Sequence, residues 1–230
     1  MSSLKKNNPI VLASTSPRRR ELISRFRYPV LMCAPRDQEG PPNSNEAPTK
    51  YVQRMATLKA LSASHAGNVT ALLIGADTIV WLEDEIFGKP SSVQDASRML
   101  TFLRNRTHNV STSMVLILPN KEDIWIQTST VSVTMRDYSD AEIEEYVKTG
   151  DPMDKAGAYA IQHQGFHPVK TFDGCYTSVL GLPLCTLSTS LRRYGMRICT
   201  VECGIGIDSE YYVASPKLKI NSVLREGDSR

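Results

Sequence analysis

Leu12-Ala13-Ser14-Thr15-Ser16-Pro17-Arg18-Arg19-Arg20-Glu21-Leu22 is a strand-to-helix junction loaded with cations. The apolar run Ile10 to Ala13 leads into it and predicts a buried strand. Ser16 followed by Pro17 predicts a helix start, with a capping hydroxyl and a proline whose missing N–H costs nothing in the first turn. Arg18, Arg19 and Arg20 come next, where the partial positive charge of a helix N-terminus makes each cation cost about 0.3–1 kcal/mol. Two readings are open. The arginines are solvated and paired with Glu21, or the junction is an anion receptor. In the second reading the hydroxyls of Ser14, Thr15 and Ser16, free backbone N–H groups and forked guanidiniums converge on a phosphate or polyphosphate.

Further along, Pro29 to Ala34 predicts a second short strand, and residues 35–48 predict a long loop punctuated by Pro35, Gly40, Pro41, Pro42 and Pro48 and carrying Asp37 and Glu39. A helix capped by Thr49 is expected to run to about Ala66, with Val52, Met55, Ala56, Lys59 and Ala63 on one face. A lysine in such an apolar stripe either snorkels to an edge, the commoner outcome, or reaches an anion. In Leu72-Leu-Ile-Gly-Ala-Asp-Thr-Ile-Val80 a buried strand meets two small residues, Gly75 and Ala76, that admit a close neighbour. Asp77 then sits among apolar residues, which is costly for a carboxylate unless it is paired or binds a metal. The alternative is a strand-end aspartate satisfied by backbone amides.

Val80 to Phe87 predicts a hairpin closed by Gly88-Lys89-Pro90. A helix follows through Asn105 with Val93, Ala96, Leu100 and Leu103 as its apolar positions. Val110–Leu118 and Ile124–Met135 read as long strands joined across Pro119-Asn120. Ser139 to Thr149 reads as a helix with Ile143, Tyr146 and Val147 inward. Asp154-Lys-Ala-Gly-Ala-Tyr-Ala-Ile-Gln162 suggests polar groups at the mouth of a strand. His163 and His167 flank Gly165, which argues against a helical metal pair. A last helix runs to about Tyr194. The alternation of strands and helices predicts an α/β fold with a mixed sheet.

The chain has 230 residues, enough for a sizeable core, with 41% hydrophobic and 22% charged residues and a net charge of +3. That balance falls short of a protein that coats nucleic acid. The polar start, Met1 to Pro9, has no apolar core of a signal peptide. The longest apolar run, Ala71 to Leu82, is too short to span a bilayer and carries Asp77. Five widely spaced cysteines, an odd count, argue against a disulfide framework and for a cytoplasmic location.

Leu12-Ala-Ser-x-Ser-Pro-Arg-Arg, Gly75-Ala-Asp-Thr, Gly88-Lys-Pro, Asp154-Lys-Ala-Gly-Ala-Tyr and Gly181-Leu-Pro occur in this order. Together they resemble the Maf (septum-formation) family of nucleoside triphosphate pyrophosphatases over roughly residues 10–194. The resemblance implies a mixed twisted sheet with flanking helices and two lobes around a central cleft. Residues 1–9 would be a polar N-terminal segment and 195–230 a C-terminal extension outside the pattern. It also implies hydrolysis of nucleoside triphosphates to monophosphate and pyrophosphate with a divalent metal, Mg²⁺ or Mn²⁺, and a homodimer by analogy.

In the resemblance the catalytic aspartate falls on Asp77 and the loop carboxylate on Glu39, the two serving as metal ligands. The phosphate-binding residues fall on Ser14, Arg18, Arg19, Lys59 and Lys89. Arg18, Thr78 and Gln162 match the specificity positions of the branch acting on dTTP and UTP. Two departures stand out: the family often has Ile-Gln-Gly where this chain has Ile161-Gln162-His163, and usually a Glu where Asp151 stands. His163 is expected to add bulk beside the base pocket. The rival expectations are the same reaction on 7-methyl-GTP or another non-standard nucleotide, and a non-hydrolysing nucleotide-binding regulator of cell division. Neither nucleic acid nor a membrane is expected as a partner.

Overall fold

A computed structural model describes residues 9–36, 40–63, 71–119 and 124–196. In chain order the elements are β1 (Ile10–Ala13), α1 (Pro17–Ser24), β2 (Val30–Cys33), α2 (Pro48–Ser62), β3 (Leu72–Leu82), β4 (Glu85–Phe87), α3 (Val93–Leu103), β5 (Thr107–Ile117) and β6 (Ile124–Met135). They continue with α4 (Asp140–Lys148), two 3-10 turns (Asp151–Asp154 and Ala156–Ala158), β7 (Val169–Asp173), α5 (Tyr176–Val179) and α6 (Leu184–Arg193). Seven strands form a mixed sheet in the order β2-β1-β3-β5-β6-β7, with β4 on β3. β1 runs parallel to β2 and β3, placing Ala13 opposite Cys33 and Gly75. β4 and β7 pair antiparallel with β3 and β6. Parallel neighbours need crossovers, which α1 and α2 provide.

The chain divides into two compact units. The first comprises Met1–Asp77, Thr112–Ser129 and Cys175–Arg230; the second comprises Thr78–Ser111 and Thr130–Gly174. In the first unit the apolar runs of β1 and β3 are buried on both faces. Ile10, Leu12, Leu72 and Ile74 pack with Leu22 and Phe26 near α1 and with Leu184, Leu187 and Leu191 of α6. Val11, Ala13 and Leu73 form a separate cluster with Ala56 and Ala60 of α2. The close neighbour of Gly75 is α2 itself: a Cβ there would lie 2.2 Å from Ala56 O and 2.4 Å from Ala60 N. The helix begins at Pro48 and is not capped by Thr49; Ala47 is the N-cap and makes no side-chain cap bond. Proline at the first helical position set the cap two residues earlier than the Thr49 hydroxyl suggested.

In the second unit α3 buries Ala96, Met99, Leu100 and Leu103 behind a Ser92 cap, whereas Val93 is 54% exposed and does not join the core. α4 starts on a reciprocal capping box between Ser139 and Glu142. The Ser139 backbone N–H and the Arg136 guanidinium hold the Glu142 carboxyl down at about 2. Residues 154–162 do not form a strand. Gly157 adopts φ +70°, and a Cβ there would meet Val80 at 3.0 Å, so the segment folds as 3-10 turns. Lys155 is buried, and its ammonium donates to Asp151 O, Asp151 Oδ1 and Asp154 Oδ1 at 2.5, 2.9 and 2.6 Å. Cys33 and Cys175 are free thiols. No helix among the described residues is long and apolar enough to cross a membrane.

Candidate active site

The first unit presents the cation-bearing junction at the carboxyl end of β1. Ser14 is buried at 4% exposure, and its N–H donates to Cys33 O at 2.9 Å. Its hydroxyl accepts the Ser16 N–H at 3.1 Å. Ser16 caps α1 by accepting the Arg19 N–H, and Pro17 stands in the first turn, as expected from the sequence. No acidic residue lies in that first turn. Arg18 and Arg19 are half-buried and Arg20 is exposed. Arg19 is also structural: its Nε donates to Gly181 O at 2.8 Å, tying α1 to the loop before α6. The glycine-leucine-proline motif thus has a role at the site, anchoring an arginine through a carbonyl that no side-chain pattern reveals.

Asp77 lies in the middle of β3, where that strand runs on past the end of β1. Ala13 is opposite Gly75, so Ser14 is one residue past that register point and Asp77 two. Ligands of open parallel sheets bind outside the carboxyl ends of the strands. Lys59, in the last turn of α2, does not snorkel. It is 8% exposed, as is Asp77, and its Nζ donates to Asp77 Oδ1 at 2.5 Å. The buried aspartate is therefore satisfied by a cation and not by strand-end amides. The close approach allowed by Gly75 sets α2 against β3 and brings the two charges together.

Among the described residues no group of three or more His, Cys, Asp or Glu side chains is placed to hold a metal ion. Glu39, the expected second carboxylate, lies outside the described residues. Magnesium-type ions are held by one or two carboxylates together with substrate phosphates and waters. Asp77, with Oδ1 on Lys59, fits that donor chemistry through its second oxygen.

The second unit carries the other predicted residues. Thr78 follows Asp77 in β3 and is half-buried, and Lys89 is exposed before α3. Gln162 is exposed in a turn closed by His163 N–H donating to Ala160 O at 3.1 Å. His163 and His167 are not on a helix, in keeping with the expectation from Gly165. Sequence reasoning missed the buried pair His108 and Tyr159, joined Nε2 to hydroxyl at 2.7 Å. Burial pushes His108 down to about 4 and the Tyr159 hydroxyl far upward. The one available signal was a histidine at an inward position of the strand that β5 became.

Parallel strands β1, β2 and β3, with an arginine-rich turn after β1 and a buried lysine–aspartate pair two residues past the register point on β3, make an α/β protein with a candidate anion site. The chain belongs to the Maf-like protein family, which it matches over residues 9–194. It is 41% identical over 194 residues to a dTTP/UTP pyrophosphatase of Nitratidesulfovibrio vulgaris, covering 84% of this chain and 90% of the relative. It is 38% identical over 186 residues to a dTTP/UTP pyrophosphatase of Dictyoglomus thermophilum, covering 81% and 96%. It is 41% identical over 194 residues to a dTTP/UTP pyrophosphatase of a Geobacter species, covering 83% and 97%.

Proposed function

We propose that this chain is a nucleoside triphosphate pyrophosphatase that hydrolyses dTTP and UTP to the monophosphate and pyrophosphate. The observation that carries the reading is the nearness in strand register of two features on adjacent strands, the Ser14–Arg19 turn after β1 and the Lys59–Asp77 pair on β3. The names of the relatives support the choice of pyrimidine substrates. Hydrolysis adds water across the α–β phosphoanhydride, breaks one P–O bond and releases one proton. Positioning and charge neutralisation account for most of the catalysis in phosphoryl transfer.

Ser14, Arg18 and Arg19 bind phosphate oxygens at the N-terminus of α1, with Arg19 held in place by Gly181 O. Lys59 orients Asp77, which accepts the proton of the attacking water. Lys89 is assigned to phosphate, and Arg18, Thr78 and Gln162 to substrate selection. A divalent cation, Mg²⁺ or Mn²⁺, bound through Asp77 and Glu39 would neutralise charge on the triphosphate.

Pyrophosphate release from a panel of nucleoside triphosphates, with either cation and with chelator, tests the reading. Metal-dependent release from dTTP and UTP is the expected result. Turnover of 7-methyl-GTP in their place would keep the reaction and reassign the base. Tight nucleotide binding without release would favour a regulator.

A further inference from the structure

Gln162 sits inside the turn that the His163 N–H closes onto Ala160 O, and side chains fix both ends of that turn. At the first end the Ala160 N–H donates to the Tyr146 hydroxyl at 3.2 Å. At the other end the His163 ring is turned back onto the fold. Its Nδ1 accepts the Phe166 N–H at 2.9 Å, and the ring packs edge-on against Tyr146 with centroids 4.6 Å apart. Phe166 in turn stacks on Tyr146 at 4.4 Å with an interplanar angle of 17°. The His163 carbonyl accepts the His167 N–H at 3.0 Å. Gly165 leaves room for this arrangement, since a Cβ there would stand 3.3 Å from His163 Cε1. The bulk expected beside the base is thus directed at Tyr146 and Phe166.

We infer that His163 is a positioning residue: it latches the Ala160–His163 turn to Tyr146 and so fixes the geometry in which Gln162 meets the pyrimidine base. The inference rests on the base-reading role proposed for Gln162. Glycine at this position has no side chain to accept the Phe166 N–H or to pack on Tyr146. It would leave that end of the turn held by backbone bonds alone.

Steady-state pyrophosphate release from dTTP and dGTP by His163→Gly, His163→Asn and Gln162→Ala tests the latch, with a thermal melt of each variant. Asparagine places Oδ1 where histidine places Nδ1 and can accept the same N–H. His163→Gly is expected to raise KM for dTTP about three- to tenfold, with kcat held within about twofold, and to narrow the dTTP-over-dGTP ratio of kcat/KM. His163→Asn is expected to recover most of that ratio. An unchanged KM and ratio in His163→Gly, while Gln162→Ala alters both, overturns the latch and leaves the role of Gln162 standing. A loss that His163→Asn does not recover also overturns it. An unchanged ratio in Gln162→Ala overturns the base-reading role, and the latch with it.

Discussion

The ammonium of Lys59 stands 2.5 Å from Asp77 Oδ1, with side chains only 10% and 11% exposed, so the carboxylate proposed to accept the water proton is also half of a buried ion pair. Breaking such a pair by removing one partner costs about 3–5 kcal/mol, because it strands a buried charge. Asp77→Asn and Lys59→Met are therefore each expected to lower urea-unfolding stability by about that amount, while the double variant loses less than the sum. Pyrophosphate release should fall at least about a hundredfold in all three. Wild-type turnover in Asp77→Asn would remove Asp77 from catalysis, and additive stability losses would show that the pair is not energetically coupled.

Gly75 makes that pairing sterically possible, because α2 passes where a side chain would be. Gly75→Ala must push α2 from β3 and carry Lys59 away from Asp77. Overpacking of this kind costs about 1–3 kcal/mol. The expected outcome is a lower melting temperature together with reduced kcat. A melting temperature equal to wild type would show that α2 shifts freely.

Arg18 and Arg19 are adjacent but differ in what holds them. Arg19 Nε is committed to Gly181 O at 2.8 Å, a charge-assisted bond worth about 1.5–3 kcal/mol. Arg19→Ala is expected to raise KM for dTTP and to lower the melting temperature by several degrees, roughly 2–4 °C per kcal/mol at this chain length. Arg18→Ala should raise KM about tenfold with little change in melting. Paired kinetics and calorimetry read the difference, and equal melting losses would assign both arginines the same structural role.

The elements were legible where local chemistry and burial agree. Ser16 and Pro17 set the start of α1, and the unbroken apolar runs of β1 and β3 announced strands covered on both faces. Asp77 stood out because a carboxylate among apolar residues needs a partner. That partner was not legible. Lys59 is 18 residues away in sequence, and its helical position alone suited snorkelling as well as pairing. The 154–162 segment misled for a backbone reason: a left-handed Gly157 against Val80 breaks the extended run into 3-10 turns. Val93 shows the limit of periodicity, since an apolar residue in the first turn of α3 faces solvent. Arg19 and Gly181 meet across a separation of 162 residues through a backbone carbonyl, which leaves no mark in residue type.

His108 carries a pH dependence that the sequence did not suggest. Burial lowers it from 6.5 to about 4, so the folded protein keeps the ring neutral while the unfolded chain takes up a proton. The unfolded state therefore binds more protons between those two values, and stability rises with pH across that window. Acidification from about 6.5 toward 4 should remove roughly 3 kcal/mol through this group. Carboxylates such as Glu142, held down at about 2, contribute stability that is present above their unfolded value and lost as pH falls toward 2, overlapping only the acid end of the window. His108→Gln, which can still meet the Tyr159 hydroxyl, isolates the histidine. The variant is expected to show a flatter plot of urea-unfolding free energy against pH between about 4 and 6.5. Parallel plots for the two proteins would mean that His108 ionises alike in the folded and unfolded states.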